Sequence, residues 1–321
     1  MFKVAIVGMG GMGKTHFNNL KKMPHVMIDA ICDPNPSVAA LADEINAAYF
    51  TCLEEMLAVT AASTVLVFTP TFLHAQQIRA VLESGRHCIA EKPLCLKAQD
   101  AKLLFALALK KKVHLYVAHV LHFFRGYAIL AEIIRSKRYG KVIDGVFCRL
   151  TEKPKWITGN WLFDKSKSGL IPYDLHIHEL EFIISLFGKP SCAQRQAPAD
   201  ERRQPSHYRF LYTYPDFTIC AEASWYHAPI PFTQTYRVYF ESAVVIMEAD
   251  EILISEAGKS VERLSLKDDA EIDGTEINTA SALPYYQEIE HFLRCIDEDR
   301  DSDIVQNETV ADVLEILEQL G

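Results

Sequence analysis

The chain has 321 residues, 49% of them apolar and 23% charged, with 14 Gly and 14 Pro. Those proportions exclude a disordered, collagen-like or fibrous protein, and the length suits two domains of about 100–200 residues each. With 33 Lys and Arg against 42 Asp and Glu the net charge is -9, which repels phosphate backbones on average, so no nucleic-acid partner is expected.

No apolar run reaches the ~18–20 residues that cross a bilayer. The most apolar region, Leu103 to Phe124, is cut by Lys110, Lys111 and Lys112. Phe2–Val7 runs straight into glycines and reads as a strand rather than a signal segment, so cytoplasmic residence without membrane association is expected. The eight cysteines (Cys32, Cys52, Cys88, Cys95, Cys148, Cys192, Cys220 and Cys295) lack CxxC spacing and sit in apolar stretches, as reduced core thiols do.

In chain order, the spacing of apolar residues predicts a strand at Lys3–Val7, a helix over Gly11–Met23, a strand at Met27–Cys32 and a helix over Ser37–Ala48. A strand at Thr64–Phe68, a helix over Leu73–Ser84 ended by Gly85, and a strand at His87–Ala90 follow. A helix over Leu96–Lys111 and a strand at Val113–Ala118 complete the series. This alternation predicts a doubly wound parallel sheet over residues 1–120.

The rhythm changes over residues 121–321. Helices at Gly126–Ser136 and Asp174–Phe187 bracket a Trp- and Lys-rich loop, Thr151–Lys167. Strand patterns then follow one another at Ala193–Gln196, Tyr208–Tyr214, Thr218–Trp225, Tyr236–Phe240, Val244–Glu248 and Val261–Leu266. Strands in succession imply a mainly antiparallel sheet in an α+β domain. Helices at Tyr285–Ile296 and Val310–Leu320 close the chain, and the acidic stretches Lys267–Thr275 and Asp297–Asp303 read as solvated loops.

Gly8-Met9-Gly10-Gly11-Met12-Gly13 is GxGxxG, placed between a strand and a helix as a dinucleotide turn requires. Gly8 permits the tight turn, Gly10 lets a pyrophosphate approach, and Gly13 lets the helix pack on the sheet, with its N-terminus facing the phosphates. Asp33 follows the last glycine by 33 − 13 = 20 residues, where a carboxylate bonds the adenosine ribose. No Lys or Arg occurs between Lys22 and Arg79 to receive a 2′-phosphate, which favours NAD over NADP.

Further motifs follow in order: Thr69-Pro70-Thr71 with His74, then Ser84–Ala90 running into Glu91-Lys92-Pro93, and Ser168–His178 followed by Glu181 and Gly188. This succession resembles the glucose–fructose oxidoreductase/inositol dehydrogenase/rhizopine-catabolism (Gfo/Idh/MocA) family along the whole chain. The resemblance implies an N-terminal Rossmann domain and a C-terminal domain that binds substrate and builds a homodimer or homotetramer. It implies that Thr69, Pro70, His74, Glu91 and Lys92 join Gly8, Gly10, Gly11, Met12, Gly13 and Asp33 around the cofactor. It also implies that Lys92, Asp174 and His178 are catalytic, with His178 as general acid/base and Asp174 its partner.

The chemistry agrees with that implication. Oxidising an alcohol releases a hydride from carbon and a proton from oxygen, and NAD takes only the hydride. A histidine titrating near neutrality accepts the proton, and an ammonium stabilises the developing alkoxide. Asp174 and His178, at i and i+4, share a helix face, whereas His176 departs from the family's usual glycine and points about 200° away. That geometry disfavours a metal site made of Asp174, His176 and His178, and no metal is expected. His119, His122, Trp161 and His176 are candidate substrate contacts, with Arg125, Trp156, Tyr226 and His227 as further candidate pocket residues.

The function expected is an NAD-dependent dehydrogenase acting on a secondary alcohol of a sugar, inositol or related polyol. The rivals are reduction of C=O or C=N, NAD-assisted cleavage of a glycosidic bond without net redox change, a non-catalytic NAD-responsive regulator on the same fold, and a purely structural protein.

Overall fold

A computed structural model of the chain describes residues 1–155, 159–197, 206–267 and 282–321. They fold as two compact units: Met1–Val120 with the described part of Ala270–Ala311, and the described part of Leu121–Asp269 with Asp312–Gly321. The change of unit after Val120 falls where the strand–helix alternation stops. The segment from Ala282 to Ala311 belongs with the first unit, a return that a single cut of the sequence does not convey.

The first unit begins with β1 (Phe2–Val7), α1 (Gly11–Leu20), β2 (Val26–Cys32), α2 (Ala39–Glu44), β3 (Ala48–Phe50) and α3 (Leu53–Val59). It continues through β4 (Thr64–Val67), α4 (Thr71–Glu83), β5 (His87–Glu91), α5 (Ala98–Lys111) and β6 (Leu115–Ala118). The strands pair in parallel in the order β3-β2-β1-β4-β5-β6. Helices cover both faces of such a sheet, so the middles of its central strands are apolar; Val4–Ile6 and Val65–Val67 are wholly buried. The strand order reverses between β1 and β4, and the crevice outside their carboxyl ends is where ligands bind in folds of this kind.

The helix expected over Ser37–Ala48 is instead a 3₁₀ turn, Pro36–Val38, and the short α2; Asn46 then takes a left-handed conformation (φ 56°) and turns the chain into β3. Neither β3 nor α3 shows a distinct sequence period, being short segments half-exposed at the sheet edge.

The second unit contains α6 (Arg125–Ser136), β7 (Val142–Glu152), α7 (Lys165–Ser168), α8 (Ile177–Phe187), β8 (Cys192–Gln196), β9 (His207–Thr213) and β10 (Thr218–Tyr226). Next come β11 (Thr233–Phe240), β12 (Ala243–Glu248), β13 (Glu251–Glu256) and β14 (Glu262–Ser265). Helix α9 (Leu283–Asp297) packs in the first unit, and α10 (Asn307–Leu320) ends the chain. The eight-stranded sheet runs β14-β13-β12-β11-β7-β10-β9-β8, antiparallel except for the parallel pair β7–β10. Strands β7 and β13 escape the sequence reading. In β7 the core-facing positions are Gly145, Phe147, Arg149 and Thr151, so glycine and a buried cation interrupt the apolar alternation.

Helices α6 and α8 cover one face of that sheet, where Tyr127, Phe147, Phe182 and Tyr236 form an aromatic cluster with ring centroids 4.9–6.4 Å apart. The other face carries a shallow depression lined by Val146, Gln194, Arg209, Leu211, Cys220 and Glu222. Cys192 and Cys220 are exposed, so they are not the core thiols expected; Cys32, Cys88, Cys95 and Cys295 are buried.

Helix α9 is amphipathic and turns Tyr285, Ile289, Phe292 and Leu293 inward, with Phe292 stacked on Tyr116 of β6 at 5.0 Å. An apolar stripe announces that a helix is covered without announcing by which sheet, which is why this segment's membership of the first unit is not legible locally.

Candidate active site

The turn after β1 is built by what glycine lacks. Gly8 sits at φ 91°, and its N–H donates to the Cys32 carbonyl at 2.9 Å. A β-carbon on Gly13 would stand 2.1 Å from the Gly8 carbonyl oxygen, so α1 seats its first turn directly against the loop. A β-carbon on Gly10 would meet nothing within 4 Å, leaving open space in front of the helix N-terminus. There the first N–H groups of α1 lack intrahelical acceptors and suit an anion.

Asp33 stands at the mouth of this turn. One carboxylate oxygen accepts from the Met9 N–H at 2.7 Å and the other from the Asn35 N–H at 2.8 Å. Held from both sides, the carboxylate keeps lone pairs for a ribose diol. The open space at Gly10, the close seat at Gly13 and the fixed Asp33 together fit a dinucleotide.

Lys92 follows β5 at the same sheet edge and is half-buried. Its backbone N–H donates to Oε2 of Glu91 at 3.1 Å, while Oε1 of Glu91 is bonded to Nε2 of His16 at 3.1 Å. The His16 ring is wholly buried and stacked on Phe68 at 4.3 Å. The Lys92–Pro93 peptide bond is cis. The Pro93 carbonyl lies 2.9 Å from Nδ1 of His74, whose Nε2 is 2.7 Å from the Thr69 carbonyl. Burial holds His74 below the usual histidine range, against the pull of the two carbonyls and Glu91.

Glu91 thus ties the end of β5 to α1, and His74 ties the loops after β4 and β5 together. Thr69 is half-exposed, and its hydroxyl bonds Gln77. His16 was not anticipated. Its signal is a histidine three residues after Gly13, on the buried face of α1 beside Thr15 and Asn19.

In the second unit, Gly169 (φ 71°) and Leu170 (φ 62°) are both left-handed, an uncommon conformation for a buried leucine. Ser168 supports them, donating to the Leu162 carbonyl at 2.6 Å and accepting from the Leu170 N–H at 2.9 Å. A turn of π-helix, Pro172–His176, follows and passes directly into α8. Such turns recur at functional sites, where they shift side chains off the α-helical register. From Ile171 to Leu180 every residue is buried except Asp174 and His178, which are half-exposed. These two, four residues apart, form the accessible stripe of the segment.

His176 is no part of that stripe. It is wholly buried, stacked on Phe210 at 3.8 Å and bonded through Nε2 to the Tyr212 hydroxyl at 2.6 Å. Burial, aided by the Arg149 charge, lowers its pKa to about 3. His176 thus stands on the core side of the segment, away from Asp174 and His178.

His122, another expected contact, is buried and bonded to Glu181 at 2.7 Å. His119 is buried just after β6 in the first unit. Trp161 and Tyr226 are half-exposed, Arg125 and His227 are exposed, and Trp156 lies outside the described residues. The sequence reading also missed the strongest ionic contact beneath α8. Arg149 donates through Nε to both oxygens of Glu179 at 2.8 and 2.9 Å, with the Tyr127 hydroxyl 3.2 Å from one of them.

Residues 2–119 match a family described as an oxidoreductase family with an NAD-binding Rossmann fold, Gfo/Idh/MocA. That match covers the parallel sheet of the first unit, from β1 to β6. An uncharacterised oxidoreductase of Streptococcus pneumoniae is 28% identical over 192 residues, covering 59% of this chain and 51% of the relative. A 2,7-anhydro-N-acetylneuraminate hydratase of Mediterraneibacter gnavus is 29% identical over 184 residues, covering 57% of this chain and 49% of the relative. The matched stretch thus spans about half the length of these curated relatives. Of the solved structures, a levoglucosan dehydrogenase in complex with NADH and levoglucosan superposes with a TM-score of 0.82 at 18% identity, covering 99% of this chain and 96% of that one. At that identity the likeness is one of fold, and it extends over the whole chain. Among the described residues no helix is long and apolar enough to cross a membrane.

Proposed function

We propose that the protein is an NAD-dependent dehydrogenase acting on a secondary alcohol of a sugar, inositol or related polyol, working in the cytoplasm as a homo-oligomer. The observation that carries this reading is a dinucleotide turn at the end of β1 together with Lys92 at the end of β5, on one edge of one sheet. Bound on the Gly8–Gly13 turn, NAD supplies the hydride acceptor. Asp33 selects the unphosphorylated ribose, since a 2′-phosphate meets a carboxylate and no sequence-local cation.

Lys92 places its ammonium at the reacting hydroxyl and stabilises the negative charge that grows on oxygen as the proton leaves. The Glu91–His16 contact and the Pro93–His74 contact fix the backbone on either side of that lysine. His178 takes the hydroxyl proton, and Asp174 orients its ring and stabilises its protonated form. One C–H and one O–H bond break, the hydride leaves with its electron pair, and the proton rests on His178.

The test is a panel of sugars, inositols and anhydrosugars carrying deuterium at single carbinol carbons. NADH should form in step with ketone, with deuterium transferred from one carbon only. A second reading, a redox-neutral reaction at the same site, draws on the hydratase relative. It predicts product formation without accumulated NADH, and the same panel separates the two.

A further inference from the structure

We propose that His291, Cys295 and Asp303 bind a divalent cation of the zinc class on the first unit. His291 and Cys295 stand one turn apart on α9, and the chain reverses after Asp297 to bring Asp303 back beside them. His291 Nε2 lies 3.5 Å from Cys295 Sγ and 3.7 Å from Asp303 Oδ1, and all three donor atoms fall within 4.8 Å of one another. With zinc bonds of about 2.0–2.3 Å, a tetrahedral site needs donors roughly 3.3–3.7 Å apart. Two of the separations already meet that requirement.

Ser302 Oγ accepts the N–H groups of Ile304 and Val305 at 3.2 and 3.0 Å and lies 2.9 Å from His291 Nε2. A metal at Nε2 must displace this hydroxyl. Burial lowers the His291 pKa and favours the neutral ring a metal requires, while Asp303 is held below the usual carboxylate range with Arg300 beside it. Burial raises the Cys295 thiol, so binding releases its proton.

The returning loop is anchored independently: the Tyr116 hydroxyl donates to the Arg300 carbonyl at 2.6 Å, and the Arg300 N–H donates to the Cys295 carbonyl at 3.0 Å. His291 and Cys295 are buried and Asp303 is exposed, which leaves one side for entry and for a water as fourth ligand. Two cations compete. Arg300 Nη1 is 3.1 Å from Asp303 Oδ1, and Arg294 Nη2 is 3.4 Å from His291 Nδ1. A metal must displace Arg300 from that oxygen. The mixed nitrogen, sulfur and oxygen donors select zinc over magnesium or calcium, which prefer oxygen alone. Bound there, the ion braces the Asp297–Asp303 loop against α9.

Cobalt(II) is the probe, titrated into untagged full-length protein stripped with a chelator, with zinc added afterwards. One equivalent should give a thiolate-to-cobalt charge-transfer band and tetrahedral ligand-field bands, both abolished by zinc. Cys295→Ser should remove the charge-transfer band, and Cys192→Ser with Cys220→Ser should leave it intact. Asp303→Asn, an exposed change that spares the buried packing, should weaken cobalt binding by at least about tenfold. No thiolate band, a band that survives Cys295→Ser, or wild-type affinity in Asp303→Asn overturns the proposal. None of these readouts depends on NAD or on a polyol.

Discussion

The glycine turn after β1 and the π-turn before α8 serve their sites by opposite means. At the first, the turn offers a ligand backbone N–H groups, and the side chains that matter are the absent ones of Gly8, Gly10 and Gly13. At the second, Asp174 and His178 are presented by helical phase, over a core stiffened by Arg149–Glu179 and His122–Glu181. A backbone site is fixed as soon as its strand and helix form. A side-chain site depends on every buried group beneath it.

That difference can be broken from either side. The largest expected effect is at Glu179→Gln, which leaves the Arg149 charge buried beneath α8 and should cost ~3–5 kcal/mol in stability. Urea unfolding of the variant measures this, and its native fraction should bind NAD as the wild type does. Gly13→Ala drives a methyl into the Gly8 carbonyl and should cost about 1–3 kcal/mol while weakening NAD. Gly10→Val meets only open space, so the thermal midpoint should hold while NAD affinity falls at least tenfold, about 1.4 kcal/mol, by calorimetric titration.

The smallest effect is at His176→Phe, which keeps the aromatic stack and loses the Tyr212 bond, worth about 1 kcal/mol at neutral pH. Its signature is in the pH dependence. The folded imidazole titrates at about 3 and an unfolded one near 6.5, so its stabilising share is complete above 6.5 and drains away as pH falls towards 3. Unfolding free energies at pH 7.5 and 5 should diverge less in the variant than in the wild type.

The same contrast explains what the sequence disclosed. The glycine turn, Asp33 and the parallel strands were legible because apolar runs and glycines report backbone geometry directly. The Asp174/His178 pair came with the family resemblance, and its spacing agrees with a helix turn, although the π-turn itself carried no signal. His16–Glu91 and Arg149–Glu179 were hidden, since each pair joins residues 75 and 30 positions apart and only the fold brings them together. Strand β7 was hidden for a related reason: Arg149 occupies a core position that reads as solvent-facing until its partner is known. The cluster at Asp303 was hidden inside an acidic loop, where a carboxylate looks solvated whether or not a histidine and a thiol face it.

The central proposal is that Lys92 and His178 act on one substrate, one steadying the alkoxide and the other accepting the proton. The most direct measurement is the rate of NADH formation by wild type, Lys92→Ala and His178→Ala across pH 6 to 10, with NAD affinity measured in parallel. The expected result is a fall of ~10²–10⁴ in kcat for each variant with NAD affinity nearly unchanged for His178→Ala, and loss of the acid limb of the wild-type profile in that variant. Wild-type turnover in both variants contradicts it.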